Sequence, residues 1–157
     1  MSVGTLYQYF PDKRSLVVAL QVRYFELMVA AVGGALAGSC SGDTLETLLR
    51  RALGALLLVK RHNLQLTLAL RVPMAERDGG SFVRESLENF VGVMKPLVVQ
   101  WLPRIPDVEP RLILLVAALE GAISYAVFED PDWLVADWFL DDLVTLGTGF
   151  LDRVANR

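Results

Sequence analysis

Two groups of residues in this 157-residue chain have types and spacings suited to chemistry. At the N-terminus, Ser2, Gly4 and Thr5 are small enough to let a helix backbone approach base edges in a DNA major groove. Tyr7, Gln8, Tyr9 and Lys13 follow, and the Tyr hydroxyls and the Lys ammonium are donors of the kind that hold phosphates. The second group lies in the interior of the chain. Leu66, Leu70, Met74, Phe90, Met94 and Trp101 are apolar or aromatic, while Arg71, Glu120, Ser124 and Tyr125 are polar handles set among apolar neighbours. An apolar wall with a few polar groups to orient a guest is what a small-molecule cavity requires. Residues that simply fill a core have the same types.

Other chemistries are poorly served. No Gly-rich phosphate loop, nucleophile elbow or HExxH pattern occurs, so no catalytic residue is expected and the chain does not read as an enzyme. His62 has no second His and no Cys cluster beside it, so no metal is expected and no cofactor is implied. Asp141 and Asp142 are adjacent and diverge on a helix, which makes them a solvated surface rather than an acid/base pair. Glu120 stands inside an otherwise apolar run, where an unpaired charge is costly. Pairing with Arg71, a water-filled cavity or a ligand would each satisfy it, as would any buried or interfacial partner.

The elements that position these groups all have helical period. Leu6 and Phe10, four apart, form the packing side of a short N-terminal helix, with Tyr7 and Gln8 pointing away. Pro11 ends it, and Asp12 is placed to cap a long helix carrying Leu16, Leu20 and Leu27 to the Gly33-Gly34 region. Asp43 with Glu46 reads as a capping box for a Leu-rich helix, which the polar run Lys60-Arg61-His62-Asn63 interrupts. A short helix over Leu64 to Val72 is expected to stop at Pro73, and Ser81 to cap one reaching about Trp101 through Pro96. Pro103, Pro106 and Pro110 delay the next helix to Arg111. Arg111 to Phe128 is apolar on nearly every side, so it needs cover on more than one face, and the last helix runs from Trp133 to about Val154. In the final helix Leu134, Trp138, Leu140 (or Phe139), Leu143, Leu146, Phe150 and Leu151 form the expected buried stripe. Gly121, Gly147 and Gly149 would let backbones approach closely. No strand alternation or internal repeat appears, so the fold class is all-α.

The ordered run Ser2-Val3-Gly4-Thr5-Leu6-Tyr7-Gln8-Tyr9-Phe10-Pro11-Asp12-Lys13 closely resembles the recognition helix, and the start of the next helix, of the TetR family of bacterial transcriptional repressors. The resemblance implies a remnant of a helix-turn-helix domain over residues 1–15 and an effector-binding and dimerisation domain over 16–157. It also implies base contacts from Ser2, Val3, Gly4 and Thr5, with backbone contacts from Tyr7, Tyr9 and Lys13. A homodimer through the last two helices would bind a palindromic operator. A small hydrophobic or aromatic effector in the body would shift the long helix after Asp12 and mismatch the two heads to half-sites one helical turn apart. Arg71 would add tolerance for an anion and Glu120 for a cation. In that family two further helices precede the recognition helix, and here the sequence starts at Met1. Without them Leu6 and Phe10 lose packing partners and a short solitary helix is unstable. That departure supports a second expectation, a truncated helical dimerisation and ligand-binding module that binds DNA poorly or not at all.

Composition agrees with a packed domain: 54% hydrophobic residues supply a substantial core. The net charge of −3 is uneven. Residues 1–23 hold three basic groups and one acid, and residues 105–157 three basic groups and ten acids, so any DNA-facing pole is N-terminal. A single cysteine, Cys40, excludes an intrachain disulfide and fits a reducing cytosol. No secretory signal pattern opens the chain, and the apolar run Leu112 to Phe128 is short against the roughly 20 residues of a bilayer span. A cytoplasmic protein without membrane contact is the expectation.

Overall fold

Asp12 opens the first long helix as its chemistry predicts. Its carboxylate accepts from the Ser15 backbone N–H at 2.7 Å, and the Asp12 N–H donates to the Ser15 hydroxyl at 3.3 Å, completing a capping box. The computed structural model describes residues 12–40, 42–74, 79–99, 105 and 107–155; within these stretches the side chains of Arg14, residues 71–74 and 79–83, Ser86, Leu97 and Val98 lie outside the description. Among the described residues the regular structure is entirely helical. The elements are α1 (Lys13–Leu36), α2 (Leu45–His62), α3 (Leu64–Met74), α4 (Gly79–Val98), α5 (Val108–Glu129), a 3-10 turn (Pro131–Val135) and α6 (Asp137–Ala155). The recognition-like residues Ser2, Val3, Gly4, Thr5, Tyr7, Gln8 and Tyr9 lie outside the described residues, as does Trp101. The proposed domain boundary at residue 15 falls in the first turn of α1.

Several boundaries differ from the sequence expectation for identifiable reasons. The cap of α2 is Thr44, whose hydroxyl accepts from Thr47 N–H at 3.1 Å, not Asp43. Asp43 instead accepts from Cys40 N–H at 3.0 Å and pairs with Arg51 at 2.9 Å. Helix α2 runs through the polar tetrad as far as His62, and Asn63 ends it, donating its side-chain amide to the Val59 carbonyl at 2.8 Å. Helix α3 continues past Pro73 to Met74, and α4 starts at Gly79 instead of Ser81 and ends at Val98. Helix α5 takes in Pro110 at its third position, where the missing N–H has no intrahelical partner to lose. Asp130 caps the 3-10 turn by accepting from Asp132 N–H at 3.1 Å, so the chain turns before α6 instead of entering one helix at Trp133.

Helix α2 lies between α1 and α6, and α5 packs on α4, α6 and the 3-10 turn. The main core draws Leu53 and Leu57 from α2, Leu119 and Ile123 from α5, Leu134 from the turn and Leu143 from α6. A smaller cluster joins Val32 and Leu36 of α1 to Leu48 of α2 and Met94 of α4. Ion pairs stitch the elements at the surface: Arg50 with Asp141 at 2.6 Å, Arg61 with Asp132 at 2.8 Å and Lys95 with Glu109 at 2.8 Å. The buried residues of α6 are Phe139, Leu143, Val144, Gly147, Leu151 and Val154. Trp138 and Leu146, assigned to the buried stripe from the sequence, are 50% and 59% exposed. Phe139 is buried in place of Trp138, its ring tilted against that of Trp133 at 6.1 Å between centroids.

Helix α5 is 22 residues long, and both it and Ser15–Leu36 are long and apolar enough to cross a membrane. That corrects the length argument made from Leu112 to Phe128. Core helices of bundles meet the same criterion, and Ile123 of α5 is fully enclosed by protein.

Candidate functional site

Helices α1, α2, α4 and α5 do not close completely on one another and leave a cavity of about 590 Å³. Its size is within the range of small-molecule sites. Phe25, Met28, Val32 and Leu36 of α1 lie on one helical stripe and form one wall; Leu45, Leu48, Ala52 and Leu56 of α2 form the next. Leu87, Phe90, Val91 and Met94 of α4 face them, with Phe90 edge-on to Phe25 at a ring separation of 6.1 Å. Helix α5 contributes Leu112, Leu115, Val116 and Leu119, then Glu120 and Ser124, the polar side chains among the described lining residues.

Glu120 is not alone. Its Oε1 accepts from Lys60 Nζ at 2.7 Å and from the Ser124 hydroxyl at 3.4 Å. The Lys60 side chain is only 3% exposed, whereas that of Glu120 is 38% exposed and lines the cavity. Lys60 also lies 5.9 Å from the centroid of the Tyr24 ring, and the Tyr24 hydroxyl bonds the hydroxyl of Thr67 on α3. Burial raises the Tyr24 pKa above its ordinary 10.0, Lys60 and the Thr67 hydrogen bond pull it back, and Glu120 pushes it up again. A polar cluster thus joins α1, α2, α3 and α5 at one end of an apolar cavity.

Of the cavity residues expected from the sequence, Phe90, Met94, Glu120 and Ser124 come together in the lining. Leu66 and Leu70, on α3, are not among its described lining residues, and Leu70 is buried. Tyr125 is 57% exposed, its ring tilted against Trp133 at 6.3 Å between centroids, because it is one residue, hence about 100°, around α5 from Ser124. Arg71 and Met74 belong to α3, with side chains outside the description. The expected pairing of Glu120 with Arg71 falls on a side chain outside the description; among the described residues Glu120 pairs with Lys60, which the sequence placed in a polar break. The α1 and α2 walls were missed because their Leu, Val and Phe stripes are the same whether they meet a neighbour or an empty space. Among the described residues no three of His, Cys, Asp and Glu gather closely enough to hold a metal ion.

A second feature is on the outside. Leu114, Tyr125 and Phe128 lie on one side of α5, 59%, 57% and 72% exposed, and Trp138 and Leu146 extend the apolar surface onto α6. Gly121 and Gly149 are exposed beside it, with nothing within 4 Å of where a Cβ would stand. Gly147 differs: its would-be Cβ is 3.0 Å from Leu49 Cδ1, so this glycine serves the approach of α6 to α2 within the chain. No protein-family model, curated protein or solved structure matches the chain.

Proposed function

We propose that the chain is a TetR-like DNA-binding transcriptional regulator, most simply a repressor, that a small hydrophobic effector releases from a palindromic operator. The observation that carries this reading is the cavity, because α1 walls it over much of its length and begins at Asp12, directly after the recognition-like segment. A guest between α1 and α5 interacts differently with different placements of α1, which is the requirement for a ligand to shift a conformational equilibrium. The exposed apolar side chains of α5 and α6 support a homodimer through that face. The reading also implies a cytoplasmic location and no catalytic role.

The test is selection of DNA from a random pool by the chain, followed by gel shifts with and without cavity-binding compounds. Lys13 is exposed in the first turn of α1, so Lys13→Ala should weaken binding to many sequences alike. Changes at Gly4 or Thr5 should alter sequence choice. Retention of full affinity by Lys13→Ala would remove the phosphate role. Ligand binding without any DNA selection would favour the second reading, a helical dimerisation and ligand-binding module that binds DNA poorly.

A further inference from the structure

The cavity has a direction, and its polar end is already neutralised. Along α5 the lining runs from Leu112 to Ser124, about 18 Å at the helical rise, and along α1 from Phe25 to Leu36, about 16 Å. Tyr24 lies beside the Lys60–Glu120 pair, while Leu36 clusters with Leu48 and Met94, so the charged pair and the wholly apolar wall mark opposite ends of one elongated space.

At the polar end, Glu120 receives both of its hydrogen bonds on Oε1, and Oε2 accepts from no described residue. Its negative charge is matched by a buried ammonium at 2.7 Å. An incoming cation would shed its hydration to meet a pair with no net charge, and an anion would face a carboxylate oxygen. A neutral hydroxyl or amide donor meets neither cost and gains a bond to a charged acceptor.

Resting on the ligand-binding reading of this cavity, we propose that its ligand is a neutral linear amphiphile, a chain alcohol or primary amide, whose head donates to Glu120 Oε2 and whose tail lies along Val32 towards Leu36. Lys60 sets this head-group preference by cancelling the charge of Glu120 without touching the ligand. In the family-type pocket Glu120 would add tolerance for a cation; its pairing with Lys60 argues for a neutral head group instead.

Four probes with one tail test it by calorimetry on the full chain: decanol, decyl methyl ether, decylammonium and decanoate. Decanol should bind tightest, with the ether about tenfold weaker for want of one charge-assisted hydrogen bond. Lys60→Met should raise decylammonium above decanol, a reversal that loss of packing alone would not produce. The alcohol-to-ether ratio in the unaltered protein decides the matter even where this variant folds poorly. Equal binding of alcohol and ether, or tightest binding of a charged probe, overturns the head-group assignment and leaves the cavity as a binding site. Binding by no probe, with no difference between the unaltered protein and Val32→Trp, overturns the ligand-binding reading itself.

Discussion

Removing either partner of the Lys60–Glu120 pair should have very different consequences, because the two ends differ in access to water. Lys60 is 3% exposed, so Glu120→Gln leaves an ammonium with no countercharge in a place water does not reach. Breaking a buried pair in this way costs roughly 3 to 5 kcal/mol. The Gln carbonyl can still accept from Lys60, and the Tyr24 ring is 5.9 Å away, so the lower end of that range applies. Lys60→Met instead fills the same volume with apolar atoms and leaves a carboxylate that is 38% exposed and can hydrate from the cavity. Its cost should be about 1 kcal/mol or less, as for a partly solvated pair. The double variant should recover most of the loss of Glu120→Gln, since an apolar replacement removes the charge that was stranded. Urea unfolding followed by circular dichroism at a fixed chain concentration measures all three. A Lys60→Met cost equal to or larger than that of Glu120→Gln would show that exposure does not govern the pair.

Burial holds the Tyr24 hydroxyl in its protonated form, so its native pKa exceeds the unfolded value of 10.0. That contribution to stability is whole below pH 10.0 and is lost as pH rises through the higher native pKa; Tyr24→Phe should lose about 1 kcal/mol near neutrality and show a shallower alkaline decline in urea midpoint. Gly34 and Gly149 are exposed, helical and have open space at Cβ, so each Gly→Ala change should stabilise an isolated chain by roughly 0.5 to 1 kcal/mol. In the homodimer reading only Gly149→Ala, beside the exposed apolar surface, should also weaken dimerisation in sedimentation. Leu146→Glu places a charge on that surface at a site 59% exposed in the monomer, and should give a folded monomer, with an unchanged sedimentation profile counting against this face as the interface. Asp12→Ala removes the cap of α1 and should cost about 1 kcal/mol, with faster amide exchange confined to the first turn.

The sequence alone was sufficient for the all-helical class, for the Asp12 cap and for the six α-helices found among the described residues, because 3.6-residue periodicity and local capping chemistry act within a few residues of one another. Local rules were misleading where competing partners lay nearby: Thr44 took the cap expected of Asp43 because Arg51 and the Cys40 N–H claimed the aspartate. Pro73 and Pro110 were read as breaks, yet α3 runs past Pro73 to Met74 and Pro110 sits in a first turn that needs no N–H. The packing of α1, α2, α4 and α5 decided everything that depends on side chains distant in sequence. It left space behind the stripe Phe25, Met28, Val32 and Leu36, whose composition cannot distinguish a filled core from a cavity. It turned Tyr125 outward from a segment apolar on nearly every side, and Trp138 outward from the stripe expected to be buried. It also brought Lys60 sixty residues along to Glu120, and a charge's partner is set by distance in space, which no local pattern encodes.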